Sequence, residues 1–413
     1  MATLTKPTHI VIFDKPSQEN EAIIKQIGDQ DVKTIQHQPG KKTVQDATGN
    51  TVCQYYKRLS VATVVADKTL VETLKNNDKV IAVVPNEKRT IVQTSEDYLH
   101  GYLQGVIDTA NLLQLQLNQS KNTPCAPTLP WSWCLENIGV SGDVSGKGVK
   151  VAVLDTGVYL DHPDFYGKLE DGVNAQSFID GESVNDLNGH GTHCCGIVAG
   201  HANSKGKYRY SVAPDAELIV GKVLSDSGSG YDSDILEAIH WSLEQGARVI
   251  SMSLGTTRAV GEPYPSAYEQ IAKVMLDDPQ GALFIAAAGN ESERPEFVSP
   301  VGNPAACHSI MAVAAVDKEN HVAYYSCAEM DDIGTLDISA PGSNVYSAWT
   351  GGGYKSISGT SMATPHVAGV AALYLEQNPS MTPRELSNIL KSKAKALGEH
   401  VDYGAGLVIA PTN

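Results

Sequence analysis

The sequence predicts an α/β protein: a mostly parallel sheet flanked by helices, preceded by a small α+β unit. Three observations carry this. From residue 147 onward, near-continuous apolar runs alternate with helical patterns, as parallel strands covered on both faces require. Before residue 92 the runs are shorter and follow a different order. The charge divides in the same way, with 14 basic against 13 acidic residues over 1–124 and 17 against 34 over 125–413. The net charge of the 413-residue chain is −16, which argues against a chain-wide nucleic-acid surface because phosphate binding needs clustered Lys and Arg. An apolar fraction of 42% with 37 Gly and 20 Pro fits a turn-rich globular chain and excludes coiled-coil and disordered classes. No apolar run approaches the ~18 residues of a membrane span, and Met1–Pro7 lacks the apolar core of a signal peptide, so a soluble chain is expected.

In the first part, Thr8–Phe13 reads as a strand and Glu19–Ile27 as a helix. A strand is expected near Thr51–Tyr56 and another over Leu59–Val65. Asp67–Lys75 has helical apolar spacing behind an acidic cap, and Val80–Val84 closes as a strand before Pro85. The order β-α-β-β-α-β is the split βαβ arrangement of a ferredoxin-like unit of about ninety residues. Tyr98/Leu99, Tyr102/Leu103, Val106/Ile107 and Leu113/Leu117 then predict an amphipathic helix within 94–117. Asn118–Pro130, with three prolines and Cys125, reads as an exposed linker of the kind that is nicked. The expected division is 1–92, 93–124 and 125–413.

In the last part, strands are predicted at Val149–Leu154, Glu217–Leu224, Arg248–Leu254, Leu283–Ala288 and Ile310–Val316, with helices starting near Asp232 and Tyr268. In such sheets the chemistry gathers at the carboxyl ends of the strands. Val151-Ala-Val-Leu-Asp155-Thr-Gly157 ends a strand in a carboxylate, which alone is more often a turn or cap. Asn188-Gly-His190-Gly-Thr-His193 sets an imidazole between glycines at the mouth of a helix, where a capping or core histidine is an equal reading. In Ser358-Gly-Thr-Ser361-Met-Ala-Thr-Pro365, a glycine turn delivers Ser361 to a helix start, with Pro365 expected in the first turn. An N-cap serine is the common use of that place. Free N–H groups there would stabilise an oxyanion. A serine nucleophile needs a base and a carboxylate to orient that base. The order Asp155, His190, Ser361 is one of the known chain orders of such a triad. Phe284-Ile-Ala-Ala-Ala-Gly289-Asn290 adds a strand-terminal amide able to donate to an oxyanion.

These motifs, together with Met252-Ser-Leu-Gly255 and the run Ser356–Gly369, resemble those of the subtilisin-like serine proteases, within them the proteinase K-like branch, over residues ~130–410. The resemblance implies Ser361 as nucleophile, His190 as base then acid, Asp155 as its orienter, and Asn290 with the Ser361 N–H as oxyanion hole. It implies that Ser253, Leu254 and Gly255 with Ala287, Ala288 and Gly289 wall the primary specificity pocket, leaving room for a large apolar or aromatic side chain. It also implies that Gly228, Ser229 and Gly230 offer a backbone edge to an extended substrate. Residues 8–92 resemble the family's inhibitory prodomain, a folding chaperone that holds its own end in the cleft. The stretch Gln93–Thr123 departs from the family, so the point of cutting is not carried over.

Calcium is expected because an excess of acidic residues and carbonyl-rich loops suit a hard cation, and the same resemblance implies the Pro304 and Ala306 carbonyls with Asp337 as one site and Asp164 with Asn203 as a second. Cys194 matches a buried free cysteine near the catalytic histidine. Cys307 matches a disulfide position whose partner is absent here. A Cys125–Cys134 link and two free thiols stay open. A soft-metal cluster of His190, His193, Cys194 and Cys195 is disfavoured, because a metal on His190 would disable the base. The expected protein is a monomeric, secreted or vacuolar endopeptidase made as a zymogen. It would act on peptides and proteins with its own prodomain as inhibitor, with neither nucleic acid nor membrane as partner. A silent scaffold or inhibitor is the competing class. An α/β-hydrolase esterase fails because Ser361 lacks the Gly-x-Ser-x-Gly elbow.

Overall fold

Alternation within the first strand decides how the amino-terminal part packs. In β1 (His9–Phe13), Ile10 and Ile12 face one way and Val11 and Phe13 the other, and all four are fully buried. A sheet built around β1 is therefore covered on both sides. The structure, a computed structural model, describes residues 6–17, 19–20, 22–23, 33–38, 41–45, 51–92 and 129–412. Around β1 lie β2 (Lys33–Gln38), β3 (Lys41–Gln45), β4 (Thr51–Tyr56), β5 (Val61–Val64) and β6 (Val80–Pro85), in the antiparallel order β2-β3-β4-β5-β1-β6. Four of these, β4-β5-β1-β6, follow the split βαβ order. The hairpin β2-β3, which the sequence did not announce, extends one edge. Each of its strands carries one apolar residue, Ile35 or Val44, too few for an alternating pattern to show. Helix α1 (Lys68–Lys75) starts where expected, with Asp67 accepting from the Leu70 N–H at 2.8 Å. Of the predicted Glu19–Ile27 helix, residues 19, 20, 22 and 23 are helical. The rest of that helix, the predicted helix within 94–117 and the linker up to residue 128 lie outside the described residues.

One face of this sheet has a small core of its own, Val11, Phe13, Tyr55, Val64 and Leu74 among its members. The other face contributes Ile10, Ile12, Tyr56, Leu59 and Val61 to the core of the following part. By transfer, each such side chain stabilises the docking by roughly 1.5–3 kcal/mol.

The second sheet has seven parallel strands in the order β16-β15-β14-β12-β8-β10-β9. They are β8 (Lys150–Asp155), β9 (Ala175–Ser177), β10 (Glu217–Lys222), β12 (Val249–Met252), β14 (Leu283–Ala287), β15 (Met311–Val316) and β16 (Ile338–Pro341). All five predicted runs are strands, and the short β9 and β16 complete the edges. In β8, Val151 and Val153 share a core with α2 (His190–Ala199) and α5 (Thr360–Gln377). Ala152 and Leu154 pack toward α3 (Asp232–Glu244) and α4 (Ser266–Asp277). The chain leaves β8 for one side of the sheet and returns to the other, which opens the crevice beside the carboxyl end of β8.

Candidate active site

A strand from the amino-terminal part lies in that crevice. Strand β7 (Lys88–Ile91) is the middle of a three-stranded antiparallel sheet between β11 (Ser229–Tyr231) and β13 (Leu254–Gly255). Thr90 pairs with Ser229 and Gly255, Arg89 with Gly230, and Ile91 with Leu254. The Ile91 N–H also donates to the Gly228 carbonyl at 2.9 Å. The edges formed by Gly228–Gly230 and Leu254–Gly255 thus grip an extended chain by strand addition. Ala287 ends β14, with Ala288 and Gly289 between it and Asn290, and Ser253 lies between β12 and β13. At the end of the inserted strand, the Val92 carbonyl accepts from Asn290 Nδ2 at 2.9 Å and, over a very short distance, from the Ser361 hydroxyl.

Asp155, at the last position of β8, is 2.7 Å from His190 Nδ1 through Oδ1, with both side chains buried. The same oxygen accepts from the Thr156 N–H at 2.7 Å, which fixes the carboxylate. Gly157 makes the turn possible: its φ is +102°, and a Cβ there would sit 2.2 Å from the Val184 carbonyl oxygen. His190 opens α2, and Asp186 fixes that opening. This fully buried carboxylate accepts from Thr156 Oγ1, from the N–H groups of Asn188, Gly189 and Thr192, and from Thr192 Oγ1. It ties the exit of β8 to the start of α2, and sequence reasoning missed it. His190 Nε2 makes no hydrogen bond to the described residues. The Ser361 hydroxyl is turned to Val92, so rotation about its Cα–Cβ bond is what would bring it to the imidazole.

Thr360 holds the amide of Asn290. Asn290 Oδ1 accepts from the Thr360 N–H and from Thr360 Oγ1, both at 2.9 Å, which leaves Nδ2 to face Val92. Pro365 departs from expectation: it is the sixth residue of α5, not in the first turn. A proline there removes the bond to the carbonyl four residues earlier, that of Ser361. Ser253 Oγ donates to that carbonyl at 2.8 Å, with Cys194 Sγ at 3.6 Å. The missing bond is thereby replaced directly beneath the serine.

Neither proposed cation set fits a cation as it stands. Asp337 Oδ1 accepts from Lys391 Nζ at 3.0 Å and Oδ2 from the Ala312 N–H at 2.9 Å. The Pro304 carbonyl accepts from the Cys307 N–H. A lysine thus answers the carboxylate that was expected, with the Pro304 and Ala306 carbonyls, to hold calcium. Asp164 is buried with Oδ2 on the Tyr210 hydroxyl at 2.6 Å, whereas Asn203 is exposed. Among the described residues, ligand atoms of His, Cys, Asp or Glu converge in threes only at Asp155, His190 and Cys194. Burial pushes the Cys194 thiol well up, which makes it a poor ligand and a poor nucleophile. His193 turns away to the Val345 and Lys355 carbonyls. The cysteines at 53, 134, 194, 195, 307 and 327 are free and buried, while Cys125 lies outside the described residues.

A serine and a fixed amide thus meet on one carbonyl, and Cys194 Sγ lies between the carboxylate–imidazole pair and the backbone of that serine, 4.0 Å from His190 Nδ1 and 3.6 Å from the Ser361 carbonyl, an arrangement able to carry out acyl transfer. Comparison with known proteins agrees. Residues 146–407 match the Subtilase family, Peptidase_S8. The chain is 42% identical over 291 residues to M-protease of Shouchella clausii, covering 70% of each chain. It is 44% identical over 268 residues to Subtilisin Savinase of Lederbergia lenta, covering 65% of this chain and 91% of that one. Among solved structures, a cold adapted subtilisin-like serine proteinase superposes with a TM-score of 0.56 at 32% identity, covering 68% of this chain and 99% of that one. Sphericase gives 0.58 at 34%, covering 70% and 100%. The chain belongs to the subtilase family and is a serine endopeptidase.

Proposed function

We propose that this endopeptidase is made as a zymogen whose residues 1–92 are an inhibitory prodomain and folding chaperone, joined through 93–124 to a catalytic domain over 125–413. What supports this is the Val92 carbonyl, which accepts from both Asn290 Nδ2 and the Ser361 hydroxyl. On this reading Val92–Gln93 is the first bond cut, and the residues before it occupy the substrate's sites. Ser361 Oγ attacks the carbonyl carbon while His190 Nε2 takes the hydroxyl proton. Asp155 holds the imidazole with Nδ1–H toward it and stabilises the imidazolium. The oxyanion is met by Asn290 Nδ2 and the Ser361 N–H. His190 returns the proton to the departing amine, and water then releases the acyl group by the same route.

Before the cut we propose a broad preference for apolar or aromatic residues, which the apolar Val92 satisfies. The sites named above for peptide pairing are proposed as Gly228, Ser229, Gly230, Leu254 and Gly255, with Ser253 and Ala287–Gly289 walling the pocket. A monomer and a secreted or vacuolar setting rest on the resemblance alone, and the free cysteines lend the latter no support. Among the described residues no helix is long and apolar enough to cross a membrane. Structural calcium is common among subtilases. It finds no ready cage in either residue set here, and no step depends on it.

A sulfonyl fluoride should label the processed enzyme once, on Ser361, and abolish peptide hydrolysis in proportion. Full labelling with hydrolysis retained would remove Ser361 from the reaction.

A further inference from the structure

The inserted strand carries one buried charge that the chemistry does not use. Arg89, the fourth residue before the proposed cut, is 1% exposed. Its Nε lies 2.7 Å from Asp232 Oδ1 and its Nη2 2.9 Å from Oδ2, a two-pronged contact of a guanidinium with a carboxylate. Nη1 donates to Thr256 Oγ1 at 2.9 Å, and Nη2 also donates to Glu87, the residue just before its own strand, at 3.0 Å. The Tyr268 ring lies 5.7 Å from the guanidinium, and its hydroxyl donates to Asp232 Oδ1 at 2.8 Å. The partners on the far side come from three places: the first residue of α3, the residue that follows β13, and α4. Asp232 and Tyr268 are themselves 3% and 1% exposed under the strand.

We propose that Asp232, oriented by Tyr268 and aided by Thr256, forms a subsite that selects arginine four residues before the cut in peptide substrates. This rests on the reading of residues 88–92 as lying where a substrate lies. A substrate with alanine there buries the carboxylate without a cation, leaving it only the Tyr268 hydroxyl among the side chains named, and an apolar side chain desolvates it further. Lysine offers a single point charge where the carboxylate and hydroxyl are spaced for a planar fork. Burial opposes the charge on Arg89, yet the hydrogen bond and charge of Asp232 hold its pKa above the ordinary value. Arginine therefore enters the site charged.

The test uses the full chain after processing, with active sites counted by sulfonyl fluoride. Fluorogenic peptide amides ending Lys-Arg-Thr-Ile-Val, as residues 88–92, are compared with versions carrying Ala, Leu or Lys at the arginine. We expect kcat/KM to fall roughly 30-fold or more for Ala and Leu. Asp232→Asn, which keeps the volume and removes the charge, should bring the Arg and Ala peptides to within about threefold of each other. Equal rates for the Arg and Ala peptides on the unaltered enzyme overturn the arginine subsite and leave the protease reading intact. Failure to cut any of the peptides after valine overturns both.

Discussion

Asn290 has one useful orientation, and Thr360 imposes it by occupying the amide oxygen twice. Its Nδ2 is therefore fixed before any charge develops on the carbonyl, the condition under which such a donor is worth most. Asn290→Leu should lower kcat by about 10²–10³, equivalent to ~2.7–4 kcal/mol, with KM changed far less. A rise in KM at constant kcat would show that the amide binds the ground state instead. At this scale Asp155, His190, Ser361 and Asn290 were legible because each follows an apolar run or opens a helix beside glycine. Thr360, Asp186 and Asp232 were not. A small polar residue at a helix start reads as an ordinary cap, and the partners of Thr360 and Asp232 come from segments 70 and 143 residues away. The Asp337–Lys391 pair was hidden for the same reason, being 54 residues apart.

At the scale of elements, the apolar strands of the parallel sheet were legible because burial on both faces leaves a continuous signature. Strand β7, Lys88-Arg-Thr-Ile91, has no such signature. It is a strand because β11 and β13 supply partners on both sides. Helix α5 carries a different cost of burial. His366 Nδ1–H donates to the Met362 carbonyl at 2.7 Å, and burial pushes its pKa down to about 4. Burial, with the neighbouring His190, likewise lowers His193 to about 3. Both groups are neutral in the folded chain, whereas unfolding restores an ordinary imidazole near 6.5. The unfolded chain then binds more protons below that pH, so stability is full above about 6.5 and falls as pH drops toward 4 and 3. The thermal midpoint should decline between pH 6.5 and 4, and His366→Asn, which keeps a donor for Met362, should make that decline shallower. An unchanged slope would place the acid sensitivity elsewhere.

Across the whole molecule, the charge division of the sequence acquires a geometry. The near-neutral amino-terminal part meets the acidic remainder through Lys6–Asp234, Arg58–Asp278 and Arg89–Asp232, each with the cation on the amino-terminal side. The apolar face of Ile10, Ile12 and Val61 lies among these pairs on α3 and α4. The first, antiparallel unit was legible in outline, but its seat was not, because docking is written in side chains whose partners lie more than 140 residues onward. On the proposed reading this docking delivers the Val92–Gln93 bond to Ser361. Intact mass and amino-terminal sequencing of the purified chain test it most directly. The chain should be cut to begin at Gln93, and Ser361→Ala should stay at full length with residues 1–92 attached. A first cut at any other bond, or cutting that persists in Ser361→Ala, would contradict it.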